Sequence, residues 1–281
     1  MKRFRTVSIL GVGLIGGSIG LSIKKRNLAH KVIGLTTRRS SLSKAKKLQA
    51  IDEGTLSLKK ATEDADLIVV CTPVGVISHI IRLITPFVKS GAIITDVGST
   101  KGKIVKEIES SLPKDIHFVG GHPMAGSERR GVEVASCDLF EDSVCILTRT
   151  KRTHIESFKR IKSFWKSLGA KVKTLSPTNH DKIIARVSHL PHLVAVALVK
   201  QIKKRDILFA STGFKDTTRI SEAASDIWRD ICLSNKEEIV RSIDNYVEIL
   251  KELREKINTL DSKAIMAEFE EAKRIREKIK K

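Results

Sequence analysis

A chain of 281 residues with 41% hydrophobic residues carries enough apolar side chain for one large domain or two ordinary ones. Its 52 Lys and Arg against 32 Asp and Glu leave a formal charge of +20. The signs are mixed along the chain, which sets aside a disordered tail and a membrane protein, and the longest apolar run, around Leu67 to Cys71, is too short for a bilayer. The cations are spread rather than clustered and aromatic residues make up only 4%, so no nucleic-acid partner is expected. A basic field does raise the local concentration of an anionic substrate or a cofactor phosphate. The N-terminus MKRFRTVSILGVG reaches glycines before a signal-peptide core develops, so a cytoplasmic location is expected. Cys71, Cys137, Cys145 and Cys232 lack CxxC spacing and read as small buried hydrophobes, and no metal site is expected.

The first 175 or so residues alternate short β-branched runs with amphipathic stretches, the pattern of βαβ units around a parallel sheet. Strands are expected at Thr6–Leu10, Lys31–Leu35, Leu67–Cys71, Ala92–Asp96, His117–Gly120, Val144–Leu147 and Lys171–Ser176. The first runs into Gly11-Val12-Gly13-Leu14-Ile15-Gly16 and then a helix. In that context Gly11 permits the tight turn, Gly13 lets backbone amides approach a pyrophosphate, and Gly16 lets the helix pack close to the strand. Leu14 and Ile15 lie within this candidate dinucleotide site. At the end of the second strand, where a carboxylate would select NAD, the chain reads Thr36-Thr37-Arg38-Arg39-Ser40. Two guanidinium groups and several hydroxyls suit a 2′-phosphate, so NADP is the expected cofactor, with NAD also accepted. Thr72 and Pro73, ending the apolar Leu67–Cys71 strand, are expected to line the same groove.

After the next strand, Asp96-Val97-Gly98-Ser99-Thr100-Lys101 brings an acid, a hydroxyl and a cation to the carboxyl edge of the sheet; Asp96 either faces a ligand there or caps the following helix. Gly120-Gly121-His122-Pro123 places His122 in a glycine-rich turn at that edge, suited to proton transfer near neutral pH or to satisfying a backbone group. From Ser176 the texture turns helical, with Pro177, Thr178 and Asn179 at the start of a helix. Pro191 should kink the apolar helix that carries Ser188-His189-Leu190-Pro191-His192. Gly213-Phe214-Lys215-Asp216-Thr217-Thr218-Arg219 offers a guanidinium for a carboxylate, and Trp228-Arg229-Asp230 is either a second anion contact or helix surface. Ile239, Ile243, Tyr246 or Val247, Leu250, Leu253 and Ile257 form one apolar stripe on a long helix. Its partner is either this domain's own core or the same helix of a second subunit, which makes a homodimer attractive.

Taken together, GVGLIGGSIG, DVGSTKG, GGHPMAGSERRGVE, SHLPH and GFKDTTR…WRD resemble the prephenate and arogenate dehydrogenases of tyrosine biosynthesis, in order and over nearly the whole chain. The resemblance implies an α/β fold: a Rossmann-type doubly wound parallel sheet over residues 1–176, then an all-α helical substrate and dimerisation domain over 177–281. It implies hydride transfer from C4 of a hydroxycyclohexadiene to a nicotinamide while the ring loses carbon dioxide. His122 then matches the residue that takes the C4 hydroxyl proton, and Ser99 the serine that hydrogen-bonds the same hydroxyl. Ser127, His189 and Arg219 match groups near the small-molecule dicarboxylate substrate. The chain ends in the lysine-rich Ile275 to Lys281, so feedback through a separate regulatory domain is not expected. Prephenate and arogenate are not separated at this level. Two further readings stay open: a hydroxy-acid dehydrogenase of similar build, with Lys215 as the nearest acid/base candidate, and a dinucleotide-sensing or nucleic-acid-binding protein without turnover.

Overall fold

The computed structural model describes residues 2–127 and 129–280. The chain forms two compact units, Met1–Lys236 and Glu237–Lys281. In the first, β1 (Phe4–Leu10), α1 (Leu14–Lys25), β2 (Ala29–Leu35), α2 (Arg39–Lys47), β3 (Glu53–Thr55), α3 (Leu58–Thr62) and β4 (Leu67–Val70) succeed one another as βαβ units. They are followed by α4 (Ile77–Ile84), β5 (Ile93–Asp96), α5 (Gly102–Ser111) and β6 (His117–Val119). The sheet order is β3-β2-β1-β4-β5-β6, with every pairing parallel. Strands buried on both faces read as unbroken apolar runs, and all four residues of β4 are fully buried. Strand order reverses between β1 and β4, so the crevice outside their carboxyl ends is where such a sheet takes a ligand.

Two short strands were not apparent from the sequence. β3 is three residues in a polar stretch at the sheet edge, and β7 (Gly121–Pro123) consists of Gly, His and Pro, which carry little strand preference. The expected strands around Val144 and Lys171 exist as β8 (Val144–Thr148) and β9 (Lys171–Leu175), separated by α6 (Ile155–Ser167), but they do not extend the parallel sheet. They form a second sheet, β7-β8-β9, with β7 antiparallel to β8 and β8 parallel to β9. His122 is therefore a strand residue opposite Ile146 rather than part of a free turn.

β9 ends at Leu175, and among the described residues only helices follow. Ser176 caps α7 (Pro177–Ile184) by accepting from the Asn179 N–H at 3.2 Å. One π-helical turn, Ala185–His189, joins α7 to α8 (Leu190–Gln201). Pro191, lacking an N–H, stands just after this turn, so the interruption anticipated from the proline is a widened turn. The segment Pro177–Gln201 is long and apolar enough to cross a membrane, and it exceeds the Leu67–Cys71 run singled out above. It also carries the Asp181 carboxylate, which is hydrogen-bonded to α5. α9 (Thr212–Thr218) packs on α8, and α10 (Ser225–Ser234) packs on the turn Val74–Val76 that follows β4.

In the second unit α11 (Lys236–Asn258), which begins one residue before it, and α12 (Ser262–Lys280) are tied by an ion pair between Lys256 and Glu268. The predicted stripe lies on α11 as expected, and Ile243, Val247, Leu250 and Ile257 on it are exposed in the single chain. Of the four cysteines only Cys145 is buried. Cys71, Cys137 and Cys232 are partly exposed, which corrects their reading as buried, although Cys71 still packs against the core.

Candidate active site

The glycine turn after β1 has the geometry a dinucleotide requires. Gly11 takes φ +101°, where a Cβ would also meet the Cys71 carbonyl oxygen at 2.7 Å, and a Cβ on Gly16 would lie 2.1 Å from the Gly11 carbonyl oxygen. Among the described residues nothing stands within 4 Å of the Cβ position of Gly13 and no side chain caps α1 there, so its first N–H groups are free for a ligand beside half-buried Leu14 and Ile15. Across the switch point the Thr72 hydroxyl is buried without a partner among the described residues, and Pro73 is exposed. These residues fit a bound dinucleotide: an uncapped helix start for the pyrophosphate and an orphan hydroxyl in the groove wall. At the end of β2 the half-buried Thr36 hydroxyl bonds to the N–H and carbonyl of Arg38, while Arg38, Arg39 and Ser40 are exposed.

The helix start of α5 is closed in a different way. The Asp181 carboxylate reaches over from α7 and accepts the N–H groups of Lys101 and Gly102, each at 2.7 Å. Asp96, offered above as a cap for this helix, instead accepts from the Gly98 N–H at 2.9 Å and the Gly121 N–H at 3.1 Å and pairs with the fully buried Lys101 ammonium. One carboxylate thereby ties β5, the half-buried Ser99 loop and β7 together. Removing either partner of such a buried pair strands a charge, which is costly.

Asp181 also determines the proton positions on two imidazoles. Its Oδ1 lies 2.8 Å from His180 Nδ1, and His180 Nε2 lies 2.8 Å from His122 Nδ1. A carboxylate only accepts, so His180 Nδ1 carries the proton. Burial lowers the pKa of His180 despite Asp181, leaving that ring neutral with a lone pair on Nε2. His122 must then donate from Nδ1. His122 is 8% exposed, and burial first, then His180, Lys101 and His189, lower its pKa well below the usual range. The result is a neutral His122 whose Nε2 lone pair is available to take a proton.

His189, on the π turn, is buried, and burial pushes its pKa down to about 4. Its ring meets Trp228 edge-on at 5.9 Å, and His192 stacks on Trp228 at 3.9 Å. Arg219 follows α9, on the helical group around α8; it is exposed and makes no hydrogen bond or ion pair among the described residues. Ser127 is exposed and its hydroxyl accepts from the Arg129 N–H at 3.2 Å, so the direct neighbour of His122 in this structure is His180. His180, Asp181 and Asn235 were not singled out from the sequence, and Lys101, noted as a cation at the sheet edge, is the buried partner of Asp96. The only signal was Asn-His-Asp in the first turns of α7, and nothing local shows that those side chains point at residues 58 to 80 positions away.

Three buried, neutral histidines have a consequence for stability. Unfolded, they bind protons near the ordinary pKa of 6.5, whereas folded His122, His180 and His189 do not. Below that pH the unfolded state takes up more protons, so stability is intact above about 6.5 and is lost as pH falls toward the folded-state values. We expect Tm to fall steadily from pH 7 to pH 5; a flat Tm over that range would contradict the buried, neutral assignment.

A glycine turn before an uncapped helix start at the switch point, together with a neutral proton acceptor in the same unit, is the equipment of a nicotinamide-dependent dehydrogenase. Comparison with known proteins agrees: the prephenate dehydrogenase nucleotide-binding domain matches residues 19–174 and the prephenate dehydrogenase dimerization domain matches residues 176–271. The chain belongs to the prephenate dehydrogenase family and is an NAD(P)-dependent oxidoreductase. It is 35% identical to prephenate dehydrogenase of Bacillus subtilis over 97% of this chain and 75% of that protein. The structure of Aquifex aeolicus prephenate dehydrogenase in complex with hydroxyphenyl propionate and NAD+ superposes with a TM-score of 0.91 at 36% identity, covering 98% of each chain. Arogenate dehydrogenase of Synechocystis gives a TM-score of 0.85 at 29% identity, covering 98% of this chain and 99% of that one.

Proposed function

We propose that this chain is a cytoplasmic prephenate dehydrogenase, converting prephenate to 4-hydroxyphenylpyruvate and carbon dioxide, with arogenate as the alternative substrate. The observation that carries the reading is the Asp181–His180–His122 chain, which holds a neutral lone pair at the carboxyl edge of the parallel sheet. A bound nicotinamide supplies the hydride acceptor. His122 Nε2 accepts the C4 hydroxyl proton while C4 gains carbonyl character. As the carboxylate leaves, its bonding electrons aromatise the ring, and the phenolate oxygen takes that proton back from His122, so none is released overall. Ser99, in the loop held by Asp96, hydrogen-bonds the same hydroxyl, and Ser127 and His189 contact the substrate. Arg219 orients a substrate carboxylate; tightening on a group that is becoming neutral carbon dioxide would oppose the step.

Residues 1–176 hold the dinucleotide through Gly11, Gly13, Gly16, Thr72 and the neighbouring backbone, and residues 177–281 serve substrate and subunit contacts. NADP is the preferred cofactor, supported by the exposed Arg38 and Arg39 and by the lack of a carboxylate at the end of β2. The active form is a homodimer through the helical part. Ile207, Leu208 and Phe209 are 60%, 90% and 84% exposed in the single chain, which a monomer in water does not favour. A spectrophotometric assay crossing prephenate and arogenate with NAD and NADP tests the reaction, the substrate and the cofactor together. Reduction of neither cofactor with either substrate overturns the reading, and a lower KM for NAD than for NADP overturns the cofactor preference. Arg219→Ala is expected to raise the substrate KM about 30-fold, the loss of a charge-assisted contact of about 2 kcal/mol. An unchanged KM would reassign Arg219 to structure.

A further inference from the structure

Asn235, the residue that ends α10, is buried, and its Nδ2 stands between two partners. It lies 2.9 Å from the backbone carbonyl oxygen of Asp181 and 3.2 Å from His189 Nδ1. A carbonyl oxygen can only accept, so the atom facing it must be the amide NH₂, which removes the usual ambiguity of an asparagine side chain. One amide hydrogen is then given to Asp181 and the other to His189, which makes His189 Nδ1 an acceptor. A neutral imidazole with its lone pair on Nδ1 carries its proton on Nε2. That Nε2 is buried and has no hydrogen-bond partner among the described residues. A buried N–H without an acceptor is unfavourable and marks a place where an acceptor atom arrives with a ligand. The ring cannot readily turn to satisfy it elsewhere, because Trp228 packs against it at 84° and is itself stacked on His192, whose Nδ1 donates to the Ser188 carbonyl oxygen.

We infer that Asn235 is a positioning residue that fixes His189 as the Nε2–H tautomer, so that His189 donates a hydrogen bond to a carboxylate or keto oxygen of the substrate. The inference rests on the functional reading above, since it names His189's partner as the substrate. It assigns a polarity to the contact: His189 gives a proton to the hydrogen bond, whereas His122 receives one. Through the Asp181 carbonyl, Asn235 also joins this donor to the helix that orients His122, so both histidines are set from the same short stretch of α7.

The test exchanges a donor for an acceptor at constant shape. In Asn235→Asp the carboxylate can only accept from the His189 ring and draws a proton to Nδ1, so that, assayed at a pH where the ring is neutral, Nε2 becomes a lone pair facing the substrate oxygen. The substrate KM is expected to rise about 10- to 100-fold, with the cofactor KM unchanged and kcat within a few-fold of the parent. Asn235→Ser, which keeps a donor of shorter reach, should recover part of the loss. Independently of turnover, ¹⁵N spectra of histidine-labelled wild-type enzyme should show a His189 ring protonated at Nε2 and bare at Nδ1. A wild-type His189 protonated at Nδ1, or an unchanged substrate KM in folded Asn235→Asp, overturns the inference. The spectrum needs no substrate, so it stands or falls apart from the identity of the reaction and remains decisive if the aspartate variant does not fold.

Discussion

Replacing His122 by asparagine is expected to lower kcat by ~10² to 10⁴, the range for loss of a general base, while cofactor affinity stays close to that of the parent. The reason is specific to the site. Asparagine can still give a hydrogen bond toward His180 Nε2, so β7 and the buried chain behind it keep their shape, but an amide has no basic lone pair at the position of Nε2. The loss therefore falls on the proton and not on the fold. The pH profile offers a second reading of the same residue. His122 is neutral well below its ordinary range, so the acid limb of kcat/KM in the parent lies below pH 6.5. A variant with full kcat, or a parent whose acid limb lies above 7, would remove His122 from proton transfer.

The second large effect is expected at Asp181→Asn. The parent carboxylate accepts three hydrogen bonds, from Lys101 N, Gly102 N and His180 Nδ1. An asparagine must turn its NH₂ toward one of these donors. If it faces α5 it loses a backbone cap, worth about 1 kcal/mol and a Tm shift of roughly 2–4 °C in a domain of this size. If it faces His180, the proton moves to His180 Nε2, His122 is forced to accept at Nδ1, and its remaining proton sits on Nε2, where the base must be. We expect kcat to fall about 100-fold from the wrong tautomer, with the cofactor KM unchanged. A kcat within twofold of the parent together with an unchanged Tm would show that neither the cap nor the tautomer of His122 depends on Asp181.

Much of the fold is legible in the sequence because its signals are local. The glycine spacing after β1 records where backbone must approach backbone, and a Cβ on Gly16 would lie 2.1 Å from a carbonyl oxygen. The apolar run of β4 records burial on both faces. The Ser176-Pro177 start of α7 and the stripe on α11 are likewise properties of neighbouring residues. By contrast, β3 and β7 have too few residues to carry a period, and the separation of β8 and β9 from the main sheet depends on pairing partners rather than on composition. The same limit explains Asp96: as an acid before a helix it resembles a cap, yet the cap is Asp181, 80 positions beyond Lys101 whose N–H it accepts.

By itself, then, the sequence determines that an imidazole, a hydroxyl and a nucleotide turn belong to one sheet edge, because each sits at the end of a strand whose pattern is written in adjacent residues. Only the tertiary structure decides which nitrogen of each ring holds a proton. That choice is made by hydrogen bonds from Asp181 to His180 to His122 and from Asn235 to His189, which join residues 46 to 58 positions apart wherever the partners are not adjacent in the chain. The two tautomers of a neutral imidazole lie close in energy in water, so a single fixed donor or acceptor in a buried site is enough to select one.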